Sequence, residues 1–578
     1  MFEMIESEWW RNCAYLSLTT LLFASGIAFG SRLKTEPDSE VSPIGSRQVD
    51  PYLVMLVLAL LVSASLRFYG IGWGLPRAFH PDEFEEARFL RNMMRNDSIN
   101  PNYTQQPPLI LYLAWPISAA LNFFGMFDGD TLARNVLGGR IVNAIAAILS
   151  VFLVSALGKR LFSRFSGALA ALILATSPLH VTNSRYMKQD SLLVMFVIGC
   201  ALCVVKCVDT KKFRYLYLAG ALAGLAAGSK YSGFACVAIV LSAPWLNREK
   251  FSLIPNRELL VHAVLASFVM GATFLLSMPY VLMSAENFRH LLSGMAFESK
   301  HAQIGHHGLA IDPWNQLWMF HLSRSLLPGV QTLPLLAAIV AAGTMVRRGE
   351  TRGMWAVALF LLFYLPAEWA RSKPPPQPDR YVLACIPFLA LLAADFCSRL
   401  RTVSDLGRMS VAALLVLFPL ARSVALASEV PYDTREQMTD WLSDNLPKGT
   451  KLLVTGGSAY LPRIPHRLRA VSARKVITRD KSRMVEALRS SEYDYLITTS
   501  ISTGRFSVQN LPSGNERPLA VRNAMTAINR SFPVVKRIAP RFGSYGFHNP
   551  TITIYSLKEP PQGQTESAEA TVTPRGDG

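Results

Sequence analysis

Charge is what this 578-residue sequence has least of: Asp, Glu, Lys and Arg make up 17% of it, against 51% hydrophobic residues and a mean hydropathy of +0.25. That balance excludes a chain solvated along its whole length and points to the membrane class. Paired cysteine is also missing. All seven cysteines (Cys13, Cys200, Cys203, Cys207, Cys236, Cys385, Cys397) lie in or at the ends of apolar runs, and none follows position 397. Neither a disulfide framework nor a zinc pattern is indicated, and thiols at such depth read as small core residues. No cleavable leader is expected, because the first apolar run, 14–30, follows an acidic start and lacks a small-residue cleavage site. The net charge of +18 invites a nucleic-acid reading, yet much of the Lys and Arg sits in short loops between apolar runs, where it sets topology. No nucleic-acid partner is expected.

What is present is a succession of apolar runs. A bilayer core about 30 Å thick needs roughly 20 apolar residues as a helix, and helices satisfy every backbone polar group within the segment. Spans are predicted near 14–30, 52–72, 136–157, 166–182, 191–207, 215–230, 233–246, 259–282, 329–346, 354–369, 381–397 and 409–428, about 11 to 13 in all. The basic loops at 31–34, 158–164, 209–214, 247–250, 346–352 and 398–401 then share one side, which is predicted to be cytoplasmic. The other side receives the loop 73–135, the loop 283–328, the segment 371–380 and everything after 428. Within the first of these, 107–125 is apolar but broken by Pro116, and it reads as interfacial or re-entrant, since a full span there would reverse the charge pattern downstream.

The predicted organisation is an extra N-terminal helix with a cytoplasmic linker (1–51), a transmembrane domain (52–430), a small extracytoplasmic α/β domain (431–558) and a disordered tail (559–578). In the α/β domain, helices are predicted at TREQMTDWLSDNL and RMVEALRSS, a turn and strand at PKGTKLLVTG, and strands at YDYLITTS and TITIYSL.

Ionisable residues gather on the outer side. His80, Pro81, Asp82, Glu83, Phe84, Glu85, Glu86, Ala87 and Arg88 place four carboxylates beside a membrane boundary. Surface charge is the plain reading of these, and Glu85 with Arg88 reads as a solvated i,i+3 pair. A partly desolvated Asp82 or Glu83, with its pKa raised, suits general-base work. The stretch Asn183 to Asp190, with Arg185 and Lys188, joins two spans, and ionisable residues at a bundle rim usually face a polar cavity. Asp190 also reads as an N-cap whose side chain takes the amide of Leu192 or Leu193. Lys230 and Tyr231 end one span, and Arg380 and Tyr381 open another after a proline run. Snorkelling is the ordinary reading of such cations, but their excess on the outer side suits an anionic lipid phosphate. His301, His306, His307, His321 and Asp312 match no standard metal-ligand spacing.

These residues resemble the polyprenyl-phosphate-sugar-dependent glycosyltransferases of the GT-C superfamily, in particular the group with lipid A aminoarabinose transferase and the protein O-mannosyltransferases. The resemblance is carried by HPDE (80–83), QPPLILYL (106–113), GRIVNAIAAILSVFLVSALGKRLFS (139–163), SPLHVTNSRYMKQDSLLVMF (177–196), GLAAGSKYSGF (224–234) and DRYVLACIPFLALLAA (379–394), across roughly 50–430. It implies a GT-C fold and an inverting transfer to an acceptor hydroxyl on the outer face of the cell's inner membrane. Asp82 would be the base with Glu83 beside it, Asp190 the second acidic position, and Arg380 with Lys230 the grip on the lipid phosphate. Gln106 stands where aminoarabinose transferases carry a lysine before the paired prolines, and the WWDYG signature of oligosaccharyltransferases is absent. The implied partners are a polyprenyl-phosphate sugar donor, membrane lipids, and a lipid, glycan or protein acceptor. No cofactor is specified, and a divalent metal is left open. The alternatives are a transporter or flippase of a lipid-linked anion, which calls for charges at mid-bilayer depth or paired broken helices, and a membrane scaffold.

Overall fold

The computed structural model describes residues 2–29, 50–103, 105–246, 254–304, 311–373, 378–400, 404–473, 481–504 and 516–558. The loops 31–34 and 247–250, His306, His307 and the tail from 559 lie outside these. The chain divides into two compact units, one made of the described residues up to Pro431 together with Tyr545–Phe547, the other of the remaining described residues from Tyr432 onward.

The first unit is a helical membrane bundle. Among the described residues, six of its helices are long and apolar enough to cross a bilayer: Pro51–Phe68, Thr131–Leu161, Asp190–Thr210, Arg257–Leu276, Asp379–Ser398 and the one that starts at Asp405. The pair Leu322–Val330 and Thr332–Arg348, bent by 112°, passes the same test only when its two helices are taken together, as a broken span or a re-entrant loop. Shorter apolar helices at Leu16–Ala28, Leu109–Phe123, Arg164–Thr176 and Tyr231–Trp245 fill in around them. At 15 residues, Leu109–Phe123 reaches only about 22 Å, short of the roughly 30 Å core. Two predicted spans are broken. The run 166–182 stops at Thr176 and restarts as Pro178–Asn183 around Ser177, because Pro178 cannot donate the next helical hydrogen bond. The run 381–397 opens as a 3-10 stretch, Pro378–Cys385, before the α-helix Ile386–Ser398.

Close approach of helices is bought with small side chains. A Cβ on Gly220 would stand 2.1 Å from the Ala266 carbonyl oxygen, so Arg214–Ser229 lies directly against Arg257–Leu276. At one end of the bundle, Asp209 pairs with Arg160 at 3.0 Å and with Arg352, and Glu350 pairs with Arg399 at 2.6 Å. Four of the predicted basic loops therefore meet at one end. Asp190 and Asp209 open and nearly close the same 21-residue helix, which sets Asp190 about 30 Å from that cationic end.

The second unit carries one five-stranded sheet ordered β2-β1-β3-β5-β4, with β1 Lys451–Val454, β2 Arg469–Ser472, β3 Tyr495–Thr499, β4 Val534–Ile538 and β5 Ile552–Ser556. β1 runs parallel to β2 and β3, while β5 is antiparallel to β3 and β4. Met438, Leu442, Leu452, Ile497 and Ile554 form the core on one face, and Leu453, Met484, Leu496, Ile528 and Tyr555 on the other. The helices predicted at TREQMTDWLSDNL and RMVEALRSS are present as Thr434–Asn445 and Lys481–Arg489. The edge strands β2 and β4 and the helix Glu516–Ser531 were not predicted.

Candidate functional site

The HPDE segment is first of all a helix start. His80 is the N-cap of Pro81–Arg95, its Nδ1 accepting from the Asp82 amide at 3.2 Å; Pro81 takes the first helical position, and Asp82 and Glu83 fill the first turn. A carboxylate there complements the positive end of the helix dipole. The two acids lie about 100° apart on the helix, and so they meet different neighbours.

Glu83 turns inward. Arg140 reaches it from Thr131–Leu161 with Nε to Oε1 and Nη2 to Oε2, both at 2.7 Å, and neither side chain is exposed. Arg140 Nη1 donates to the carbonyls of Ile71 and Trp73, and Glu83 Oε1 also accepts from the Met187 amide at 2.7 Å. Both carboxylate oxygens are engaged, which leaves Glu83 closed to a reactant.

Asp82 turns outward, with 40% of its side chain exposed. Its Oδ2 lies 3.1 Å from Arg380 Nη1 and 3.3 Å from Lys188 Nζ. Burial pushes its pKa up, but the charges of Lys188, His80 and Arg380 outweigh that and hold the carboxyl well below the usual carboxylate range. The expectation of a raised pKa at Asp82 is thereby corrected: proximity to two cations wins over desolvation. The neighbouring Glu86 is the carboxyl that is raised, mainly by burial. It accepts from Gln189 Nε2 at 3.1 Å and lies 3.5 Å from Lys188, while Gln189 Nε2 also reaches Gln106 Oε1 at 2.6 Å.

Asp190 begins its helix but does not cap it. Gln189 holds the cap position, and the Asp190 carboxylate accepts from Lys230 Nζ at 2.6 Å. The capping expectation is corrected because an ammonium within reach is a stronger partner than an amide. Lys230 Nζ also stands 5.5 Å from the centre of the Tyr381 ring, and the Arg380 guanidinium 5.8 Å from it, so two cations share one aromatic ring. The residue before Arg380, Asp379, accepts from Ser325 Oγ at 3.1 Å, which ties the start of the 3-10 stretch to Leu322–Leu326.

Lys230, Arg380 and Tyr381 line a cavity of about 300 Å³. Gln106 and Tyr231 line it too, and Leu362, Phe363, Pro366 and Ala367 give it an apolar wall. Arg185 is not brought to it: the side chain is buried, and its Nε donates to the Leu66 carbonyl at 3.0 Å. The Glu85–Arg88 pair lies on the solvated face, at 3.4 Å. His301, His321 and Asp312, the described members of the histidine set, do not form a ligand cluster. His321 is buried against Ser325, Asp312 caps the Trp314 amide, and among the described residues no group of three His, Cys, Asp or Glu side chains is placed to hold a metal. Sequence reasoning missed Arg140 as the partner of Glu83, and Glu298 and His301 as further lining of the cavity.

A family model described as dolichyl-phosphate-mannose-protein mannosyltransferase matches residues 106–283, which include Gln106, Asp190 and Lys230. A Bacillus subtilis (strain 168) protein named "Putative mannosyltransferase YycA" is 30% identical over 125 residues, a stretch that spans 22% of this chain and 17% of that relative. In fold, the chain is similar to ArnT from Cupriavidus metallidurans bound to undecaprenyl phosphate, with a TM-score of 0.50 at 14% identity, covering 89% of this chain and 100% of that one. The archaeal oligosaccharyltransferase AglB from Archaeoglobus fulgidus is matched at a TM-score of 0.47 and 14% identity, over 81% of this chain and 72% of that one. The fold is of the GT-C type, and the chain is an integral membrane protein.

Proposed function

We propose that this chain, a GT-C-type membrane protein, moves a sugar from a polyprenyl-phosphate donor to an acceptor hydroxyl on the extracytoplasmic face, with inversion at the anomeric carbon. The observation that carries the reading is the cavity in which Lys230 and Arg380 flank Tyr381 while an apolar wall continues beyond them. Two cations suit a phosphate and the wall suits a prenyl chain, which is the make-up of such a donor.

Asp82 is the general base in this reading. Arg380 and Lys188 suppress its basicity. A donor phosphate competes for Arg380, and each contact it takes from Asp82 restores proton affinity to the carboxylate. Asp82 then removes the hydroxyl proton as the acceptor oxygen attacks the anomeric carbon, and Arg380 and Lys230 meet the charge growing on the departing phosphate. Asp190 orients Lys230 rather than taking a proton, since its carboxylate is buried and already holds that ammonium. Glu83 and Arg140 fix the helix that presents Asp82. The acceptor class is a lipid, a glycan or a protein. The cationic end with Arg160, Arg352 and Arg399 faces the cytoplasm of the cell's inner membrane, and the second unit lies outside.

The deciding experiment is steady-state transfer from a short-chain polyprenyl-phosphate sugar by Arg380→Ala and Arg380→Lys, with folding checked by gel filtration in detergent. Arg380→Ala should lose on the order of 2 to 4 kcal/mol of transition-state stabilisation, and Arg380→Lys less, because an ammonium keeps the charge but not the two-pronged grip. Folded Arg380→Ala with wild-type kinetics would sink the phosphate assignment. Reporter fusions after Lys558 and at Gly349 test the sidedness.

A further inference from the structure

The same cavity has a side that the chemistry above leaves unused. The helix Ala285–Ile304 brings Glu298 into the lining, where Tyr231, Gln105 and Gln106 also stand. This helix lies beyond the 106–283 stretch that the family model matches. Glu298 is half-buried and forms no ion pair with any described residue, whereas the two cations of the cavity are committed, Lys230 to Asp190 and Arg380 to Asp82. Its charge reaches the outer loop as well. Burial, then the carboxylates of Glu86, Glu298 and Asp82, push the Tyr103 phenol above its ordinary range, so Glu298 and Asp82 act on one ring.

A carboxylate at this place gains nothing from a donor phosphate, since like charges repel. Together with two carboxamides and a phenol it makes a set of hydrogen-bond acceptors and donors suited to hydroxyl groups. We propose that Glu298 reads the sugar of the donor. Its carboxylate accepts hydrogen bonds from ring hydroxyls or from an ammonium substituent, and it opposes a sugar that carries a carboxylate of its own. The inference rests on the reading of this cavity as the donor site, and it narrows the donor to a neutral or amino sugar, excluding a uronic acid. Opposing the wrong substrate with a fixed like charge is a common source of specificity.

The test compares two ligands that differ only at the sugar's C6: farnesyl-phosphate-linked glucose and farnesyl-phosphate-linked glucuronic acid. Their affinities for the full chain in detergent are measured by calorimetry, with farnesyl phosphate alone as the reference. Wild-type protein should bind the glucose ester tighter by about tenfold or more, a ratio expected of one like-charge contact in a partly solvated site. Glu298→Gln should bring that ratio to within about twofold and bind farnesyl phosphate at least as tightly as wild type, since a like charge is removed, which also shows that the variant is folded. Glu298→Asp should keep the discrimination and stands in if Glu298→Gln does not fold. A wild-type ratio near one, or a ratio that Glu298→Gln does not move, overturns the role of Glu298. If farnesyl phosphate binding is lost in Arg380→Ala while the ratio stays put, the donor reading stands and only the sugar reading falls. If none of the three ligands binds wild-type protein, the donor reading falls and takes this inference with it.

Discussion

Asp82 and Glu83 are neighbours in sequence and opposites in setting. Glu83 meets Arg140 in a pair that excludes water, with both oxygens taken and the guanidinium further tied to two backbone carbonyls. Asp82 meets Arg380 and the buried Lys188 with 40% of its own side chain still exposed. The lesson is one of completeness. A buried ion pair holds structure when every lone pair and proton has a partner, and it becomes available for chemistry when one side of it faces a cavity that a substrate can enter.

The sharpest way to break that contrast is to open the closed pair. Arg140→Met leaves Glu83 buried and uncompensated, at a cost of about 3 to 5 kcal/mol, so the variant should lose its monodisperse peak and its activity together. Folded, active Arg140→Met protein would show that the inner pair does not support the site. The complementary change, Asp82→Asn, keeps size and hydrogen bonding but not proton acceptance. Transfer should fall about 100-fold or more while the melting temperature stays near wild type. Normal turnover would move the base to another carboxylate.

His80 links the two pairs, since it caps the helix that carries both acids. Burial is the main cause that lowers its pKa to about 4, with Lys188 and Arg380 adding to it against Asp82 and Glu83. A histidine held neutral in the fold stabilises fully above its unfolded value of about 6.5, and that contribution is lost as pH falls from there toward 4. Thermal stability should therefore drop by on the order of 2 to 4 kcal/mol across that interval, and a His80→Asn variant, which can still cap, should flatten the profile. Asp82 predicts no such slope in this range: its lowered pKa means that its contribution is present above the unfolded value near 3.9 and fades only as pH falls below it. The smallest effect is reserved for the outermost cation. Lys230→Ala should cost less than Arg380→Ala, roughly 1 to 2 kcal/mol in kcat/KM, because part of the Lys230 charge is already spent on Asp190.

The membrane class, the end of the bundle where the basic loops meet, and the ionisable residues of the outer side were legible because hydropathy and loop charge are local properties of the chain. Partners were not. Glu83 and Arg140 are 57 residues apart and Asp82 and Arg380 298 apart, so no local pattern could have told which acid closes on an arginine and which stays open. Asp190 looked like a cap because its competitor, Lys230, arrives from another helix. Glu298 sits on a helix of mixed polarity and carried no signal until the cavity was visible. The missed strands have the same explanation in the second unit: every residue of β2 is exposed, so the edge shows none of the apolar alternation that marked β3 and β5.

The sharing of the Tyr381 ring by Lys230 and Arg380 bears on how the reaction ends. A polyprenyl-phosphate sugar is a phosphodiester with one negative charge, whereas the polyprenyl phosphate left behind is a monoester that approaches two near neutral pH. Two cations crowded on one ring repel each other less as the charge between them grows. If that site takes the donor phosphate as proposed, it should hold the spent carrier more tightly than the loaded one. On the proposed function, turnover at high donor would be set by the escape of the carrier lipid back into the bilayer, and free polyprenyl phosphate would act as a product inhibitor.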